Sequence, residues 1–405
     1  MNKHTPEITP DEKAELFAQA REIAATWAAI GRECDERNRF PVETVEAYKH
    51  SAITAMSVPR RFGGLGADML TASLVGRELA KGDPSIALSY NMHQAMVGIF
   101  RNTPALDEGT REKVLRRVAE ERSIICGPFS EARAGLSGLA DTVAVPDGTG
   151  GWRITGRKNW STLVLGSDLI ALNATITDPD GSLPDDFRER ARRESTFIIP
   201  TGAPNLTVDH TWDTMGMRAT GSHTIVLDGV PAGPETYAGN FRQGLIGEAE
   251  WAAMLFGGVY LGLADKAFTE CVAILREKHL GATLAAQDTD VKTLGHVQFE
   301  VGRMRTALDV AERVLEATGV LAAEGRYEEW PAAARKPRWD VVKVTTTETA
   351  MSVTDTAFRL VGGSAFRRGH VLERLYRDAR AGYLHSFTTN QLYDYSGRYE
   401  LGLVG

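Results

Sequence analysis

The sequence predicts an α+β protein in three consecutive parts: a helical N-terminal domain over residues 1–122, a β-barrel middle domain over 123–235, and a helical-bundle C-terminal domain over 236–405. Three observations carry that expectation. From Pro10 to about Arg122, apolar residues recur three and four apart among charged ones, the spacing of helices with one buried face. Between Ser123 and Glu235 the pattern changes to short β-branched runs bounded by Gly, Pro, Asp and Asn. After Tyr237 the helical period returns and persists to the end.

In the first part, Glu12 to Gly31 and Leu70 to Gly82 read as helices, separated by the turn-rich loop Val58-Pro59-Arg60-Arg61-Phe62-Gly63-Gly64-Leu65-Gly66. Asp83-Pro84-Ser85 supplies a cap and a first-turn proline for the helix that carries Tyr90 to Phe100. In the second part, strands are expected at Trp152–Thr155, Leu169–Thr175, Ser195–Ile199 and Thr224–Leu227, with Pro184 to Ser195 as a charged, exposed loop. In the third, Trp251 to Arg276, Val291 to Gly319 and Lys336 to Val361 are long enough to pack as an antiparallel four-helix bundle, an arrangement that often offers an oligomer surface.

Composition narrows the function classes. The chain of 405 residues is 43% hydrophobic and 24% charged, ordinary for a soluble globular protein. A net charge of −7 argues against nucleic-acid binding, which draws on clustered Lys and Arg. Cys34, Cys126 and Cys271 show neither a disulfide framework nor metal-ligand spacing, so a reducing, cytoplasmic location and no metal are expected. Met1 to Glu15 lacks the pattern of a secretory signal, and the most apolar long segment, Trp251 to Ala267, is interrupted by Gly257, Gly258 and Gly262, so no membrane span is expected.

Four motifs, in order along the chain, carry the functional reading: Cys126-Gly127-Pro128-Phe129-Ser130-Glu131-Ala132-Arg133-Ala134-Gly135; Gly156-Arg157-Lys158-Asn159-Trp160-Ser161-Thr162; Met215-Gly216-Met217-Arg218-Ala219-Thr220-Gly221-Ser222-His223; and Leu360-Val361-Gly362-Gly363-Ser364 with Arg377-Asp378-Ala379-Arg380-Ala381-Gly382-Tyr383-Leu384-His385-Ser386. Their order and spacing resemble the acyl-CoA dehydrogenase superfamily over residues 10 to 405. The resemblance implies an acyl-CoA dehydrogenase-like fold, a homotetramer, and a flavin (FMN or FAD). It implies that Phe129 and Ser130 lie along the flavin ring, Trp160 covers a face and Thr162 bonds near N5. Gly362, Gly363 and Thr388 join the cofactor-binding set, while Arg276 and Gln298 would reach a neighbouring subunit's flavin. The Arg-x-x-Phe-Gly signature is broken at Arg276-Glu277-Lys278-His279-Leu280-Gly281, which leaves FMN versus FAD open.

The departures bear on the reaction. Ser386 stands where the dehydrogenases commonly carry their proton-abstracting glutamate, and Ala252 where some relatives carry it instead. Leu136 and Ser137 replace a Ser-Asp pair that helps hold the thioester. In their place stand His385 and His93, a pair similar to that of the flavin-dependent monooxygenase branch, the dibenzothiophene monooxygenase-like enzymes. Imidazole titrates near neutrality and suits proton transfer to activated oxygen, and Ser161 adds a hydroxyl where an isoleucine is usual. His385, His93 and Ser161 are therefore the candidate catalytic residues. The implied activity is two-component monooxygenation: reduced flavin from a separate reductase, O2, a flavin C4a-(hydro)peroxide and a small organic substrate. The alternatives are an acyl-thioester dehydrogenase whose base has moved to Glu131 or Glu250, and a non-catalytic subunit that keeps the fold.

Overall fold

The computed structural model describes residues 6–132, 138–244, 250–282, 287–385 and 388–404. Leu136, Ser137, Ser386 and Phe387 lie outside the described residues.

The N-terminal helices are α1 (Pro10–Arg37), α2 (Val45–His50), α3 (Met69–Gly82), α4 (Pro84–Asn102) and α5 (Glu108–Glu120). Thr9 opens α1 with a reciprocal capping box to Glu12, and Asp83 caps α4 through the backbone N–H groups of Ser85 and Ile86. The buried stripe Leu16, Ala20, Ala24, Trp27, Gly31 and Cys34 of α1 recurs at helical spacing and faces α3.

The middle part is one eight-stranded sheet formed by β1 (Ile125–Cys126), β2 (Val143–Pro146), β3 (Trp152–Ser161), β4 (Leu169–Ile176), β5 (Glu194–Pro200), β6 (Leu206–Asp209), β7 (His223–Ala232) and β8 (Tyr237–Asn240). The strand order is β6-β7-β3-β2-β4-β5-β8, with β1 parallel to β4, and among the described residues β6 and β8 do not pair to close a barrel. Ile154, Ile170, Leu172, Phe197, Ile199, Ile225 and Leu227 fill its apolar core. One expectation is corrected here. Within the supposed exposed loop, Phe187–Arg193 forms a short helix, α6, capped by the Asp186 carboxylate on the Glu189 N–H.

The C-terminal helices are α7 (Phe241–Gly244), α8 (Glu250–Glu277), α9 (Gly295–Ala323), α10 (Ala332–Val361), α11 (Val371–Arg380) and α12 (Thr389–Glu400). Helix α8 is the spine, packing on α3, α4, α9, α10 and α11. Its glycines permit this. A Cβ on Gly258 would stand 2.1 Å from the Ser73 carbonyl oxygen, and one on Gly262 2.3 Å from that of Arg77, so α3 and α8 meet backbone to backbone. The glycines that interrupt the apolar run in the sequence are thus what bring the N-terminal helices against the bundle. No described helix is long and apolar enough to cross a membrane.

Candidate active site

A cavity of about 410 Å3 opens where α4, the start of α8, the end of α11 and the sheet meet, a size typical of small-molecule sites. Leu88, Met92, Ala95, Met96 and Ile99 share one face of α4 and form an apolar wall, which Ala252 and Phe256 extend from the first turns of α8. Phe129 continues that wall and packs on Phe241 with ring centroids 5.1 Å apart.

The opposite side comes from the sheet. The pairing of β3 with β7 slips between Lys158 and Ser161, a bulge that re-aims the side chains at the strand's end. Trp160 sits in this bulge with φ of 56°, a left-handed conformation unusual for a bulky residue, and its indole, 56% exposed, lines the cavity. Ser130 also lines the cavity, and its carbonyl accepts the Asn159 N–H at 2.8 Å, which ties its loop to the strand beside Trp160.

Beyond Trp160 runs a row of hydroxyls. Thr162 Oγ1 lies 2.7 Å from Ser222 Oγ, which lies 2.7 Å from Thr220 Oγ1, and Thr220 donates to the Met217 carbonyl at 2.9 Å. A carbonyl only accepts, so the row has a direction: Thr220 gives its proton to Met217, Ser222 to Thr220, and Thr162 to Ser222. The Thr162 oxygen, which lines the cavity, is left with lone pairs that can accept from a ligand N–H. Cys126 Sγ donates to the Thr162 carbonyl at 3.1 Å and fixes this turn.

His385 lines the cavity from the turn after α11. Its Nε2 shares a hydrogen bond with the Tyr260 hydroxyl at 3.1 Å, Phe256 meets its ring edge-on at 4.7 Å, and Lys343 Nζ donates to its carbonyl at 3.0 Å. Burial pushes the imidazole down to about 3, and the Lys343 charge adds to the effect. Burial likewise lowers Lys343, to about 8. His385 is therefore a neutral ring at ordinary pH rather than one poised near 6.5.

Several expected residues stand elsewhere. His93 is fully buried and absent from the cavity wall: its Nδ1 accepts the Ile125 N–H at 3.0 Å and its Nε2 donates to the Thr54 carbonyl at 2.9 Å. Both nitrogens are spent on joining α4 to the Thr54 turn and to the start of β1, so His93 stands outside the cavity. Ser161 points to the other face of β3 from Trp160, fully buried and with no hydrogen-bond partner. Thr388 caps α12 in a capping box with Gln391, and it does not line the cavity. Gly362 breaks α10 with φ of 74° and ψ of −148°, a conformation reserved for glycine, and Gly363 beside it has open space around it. Lys278, near Arg276, donates to the Val361 carbonyl at 2.6 Å, so the far end of α8 meets this glycine turn, while Gln298 bonds the Lys292 carbonyl nearby. From Ala252 on the cavity wall to Arg276 is about 36 Å along one helix. Within one subunit Arg276 and the cavity are thus separate.

No Asp or Glu lines the cavity among the described residues. Glu131 turns away into the sheet domain, where it pairs with the fully buried Lys158 and accepts from the Thr142 hydroxyl at 2.7 Å. Lys158 also donates to Asn173 at 2.7 Å, Asn173 to Glu194 at 2.6 Å, and Arg242 meets Glu194 at 2.6 Å. Glu250 is buried at the start of α8, outside the cavity wall.

An apolar chamber with an exposed indole at its rim and a hydroxyl row along one edge fits a planar, polar-edged ring system, and sequence comparison gives that fit a family. Residues 10–122, 129–230 and 254–390 match, in turn, the N-terminal, middle and C-terminal domains of acyl-CoA dehydrogenase. The chain belongs to the acyl-CoA dehydrogenase family. It is 29% identical to the putative acyl-CoA dehydrogenase YdbM of Bacillus subtilis over 94% of each chain, and 29% identical to the L-evernosamine nitrososynthase of a Micromonospora species over 98% of this chain and 94% of that one. The FMN-bound structure of TdsC, a dibenzothiophene monooxygenase from Paenibacillus sp. A11-2, superposes with a TM-score of 0.83 at 20% identity, covering 95% of this chain and 96% of that one. The acyl-CoA dehydrogenase fold is thus common to relatives with different chemistries.

Proposed function

We propose that this family member is a two-component flavin-dependent monooxygenase. The observation that carries the reading is the cavity wall itself: among the described residues it presents the neutral imidazole of His385 and no carboxylate, so none of them offers a carboxylate base for α-proton abstraction. The reading is supported by the placement of the two relocated bases of the dehydrogenase alternative, since Glu131 pairs with Lys158 and Glu250 lies outside the wall. Phe129, Ser130, Trp160 and Thr162 would hold the flavin ring. A bound reduced flavin supplies the two electrons with which O2 gives one oxygen atom to the substrate and releases the other as water.

The directed hydroxyl row supports use of the reduced form. Thr162 offers an acceptor, and a reduced flavin presents an N–H at N5 where the oxidised ring presents only a lone pair. His385 would relay a proton as a neutral ring, giving one from Nδ1 as Nε2 takes one from the Tyr260 hydroxyl, so that no imidazolium disfavoured by burial and by Lys343 need form. The apolar walls exclude water from the substrate. A homotetramer would bring Arg276, Gln298 and the Gly362-Gly363 turn of one subunit toward a neighbour's cofactor, and a separate reductase would deliver the electrons.

The test is anaerobic titration with FMN and FAD, oxidised and then dithionite-reduced, followed by O2 and candidate substrates. Tighter binding of reduced flavin, narrowed in Thr162→Val, together with incorporation of an atom of 18O2 into product, is the expected result. Tight oxidised FAD that bleaches with an acyl thioester would overturn the proposal in favour of dehydrogenation.

A further inference from the structure

The cavity wall carries two guanidinium groups in very different states. Arg377 is neutralised: its Nη1 and Nη2 meet the two Asp35 oxygens at 2.9 and 2.6 Å, and it also bonds Glu373. Arg380, one turn further along α11, has no acidic partner among the described residues. Its guanidinium lies 3.7 Å from the Tyr376 ring centroid, and its Nη1 is buried without any hydrogen-bond partner.

A cationic N–H with nothing to donate to is costly, and the Arg380 side chain, partly exposed where it lines the cavity, can turn its fork to a partner that arrives from outside. Stacking on Tyr376 restricts the fork without using its in-plane donors. Among the described residues the rest of the wall offers no carboxylate to satisfy it.

We propose that Arg380 seats an anionic oxygen group, a carboxylate or comparable oxyanion, on the substrate, with the apolar body of that substrate against the α4 face and its reacting atom toward His385. This rests on the reading of the cavity as a chamber shared by flavin and substrate. A flavin phosphate has the same chemistry as a substrate oxyanion. The substrate is favoured because Arg380 stands with His385 at the cavity, whereas the open Gly362-Gly363 turn, expected among the cofactor-binding residues, lies by the opposite end of α8.

The test uses the purified full-length protein, with 2-naphthoate and its neutral isostere 2-naphthamide as probes, followed by quenching of the cavity tryptophans Trp160 and Trp212. The wild type should prefer the acid, and Arg380→Met should weaken naphthoate roughly 10- to 100-fold while leaving the amide nearly unchanged. Arg380→Lys should recover part of the preference. FMN and riboflavin affinities, measured separately, should be unaltered by Arg380→Met, and its melting temperature should not fall. Absence of acid preference in the wild type, or loss of FMN affinity with riboflavin spared, overturns the assignment; so does a large fall in melting temperature, which would make Arg380 a structural residue. Persistence of the acid preference in protein that binds neither flavin would sink the monooxygenase reading and leave the anion seat standing.

Discussion

His93 offers a sharp test, because sequence pattern and structure assign it opposite roles. The structure buries the ring completely and uses Nδ1 as an acceptor and Nε2 as a donor, so only the neutral form fits. Burial pushes it from 6.5 down to about 4, against the Thr54 carbonyl and the Asp168 carboxylate, which favour the charged ring. Because the folded value is depressed, the unfolded chain takes up a proton below about 6.5 that the native protein refuses. Stability from this ring is therefore fully present above that pH and is lost as pH falls toward 4. Linkage between those two values gives a loss of about 2 kcal/mol on moving from pH 7 to pH 5. His93→Gln keeps a donor and an acceptor but cannot titrate. Urea unfolding of both proteins at the two pH values, with reversibility checked, should show a pH-dependent loss about 2 kcal/mol smaller in the variant, all other groups cancelling. Identical pH dependence would mean that His93 protonates in the native state, and the reasoning that removes it from proton transfer would fail.

Four other outcomes are expected. Lys158→Met strands Glu131 in the sheet core and should cost about 3–5 kcal/mol in chemical denaturation, much of it recovered when Glu131→Leu is added. His385→Asn should lower the turnover of oxygenation by about 100- to 10,000-fold and divert reduced flavin to hydrogen peroxide, with Tyr260→Phe intermediate, as read by product and peroxide yield. Trp160→Ala should weaken flavin binding without lowering the melting temperature, since the indole packs against little protein. The Asp378 carboxyl is raised to about 7, chiefly by burial and also by Asp83, so folding is favoured below 3.8 and weakens as pH rises to 7; Asp378→Asn should therefore raise the melting temperature at pH 8 relative to wild type, and an unchanged value would contradict that shift.

The sequence showed the layout well, because periodicity reports which faces are buried, and helices as long as α8 and α10 leave little ambiguity. It located Ser130, Trp160, Thr162 and His385 through the spacing of motifs along the chain, and all four line one cavity. Ser161 shows where motif reading outran local geometry. The bulge between Lys158 and Ser161 breaks the strand's alternation and leaves Trp160 at the cavity with Ser161 fully buried, a slip that residue spacing alone does not show. The α6 helix carried a readable signal too, an Asp followed three residues later by Glu, which the density of charge obscured. Tyr260 had no such signal, since it meets His385 only through the packing of α8 against the turn after α11. Arg380 lay inside a quoted motif, yet its lack of a partner is a fact of three-dimensional placement. Thr220 and Ser222 were likewise visible as residues, but the proton direction of their row depends on the Met217 carbonyl.

Electrostatics ties these observations together. Losing a catalytic glutamate from a site does not require losing acidic residues from the chain, which has 53 of them. What matters is where each is spent: Asp35 and Glu373 on Arg377, Glu131 on Lys158, Glu194 on Asn173 and Arg242, Asp378 on the Met217 N–H. Among the described residues these pairings leave a cavity whose polar surface is hydroxyl, neutral imidazole, the neutralised Arg377 and the unpaired Arg380. Such a surface cannot pull a proton from carbon strongly, because none of its groups is an anionic base. It can accept an N–H, relay a proton near oxygen, and hold an anion. Those are the needs of the oxygen transfer proposed for this cavity, and on that reading the charge distribution that disfavours dehydrogenation would also select an acidic, largely apolar substrate.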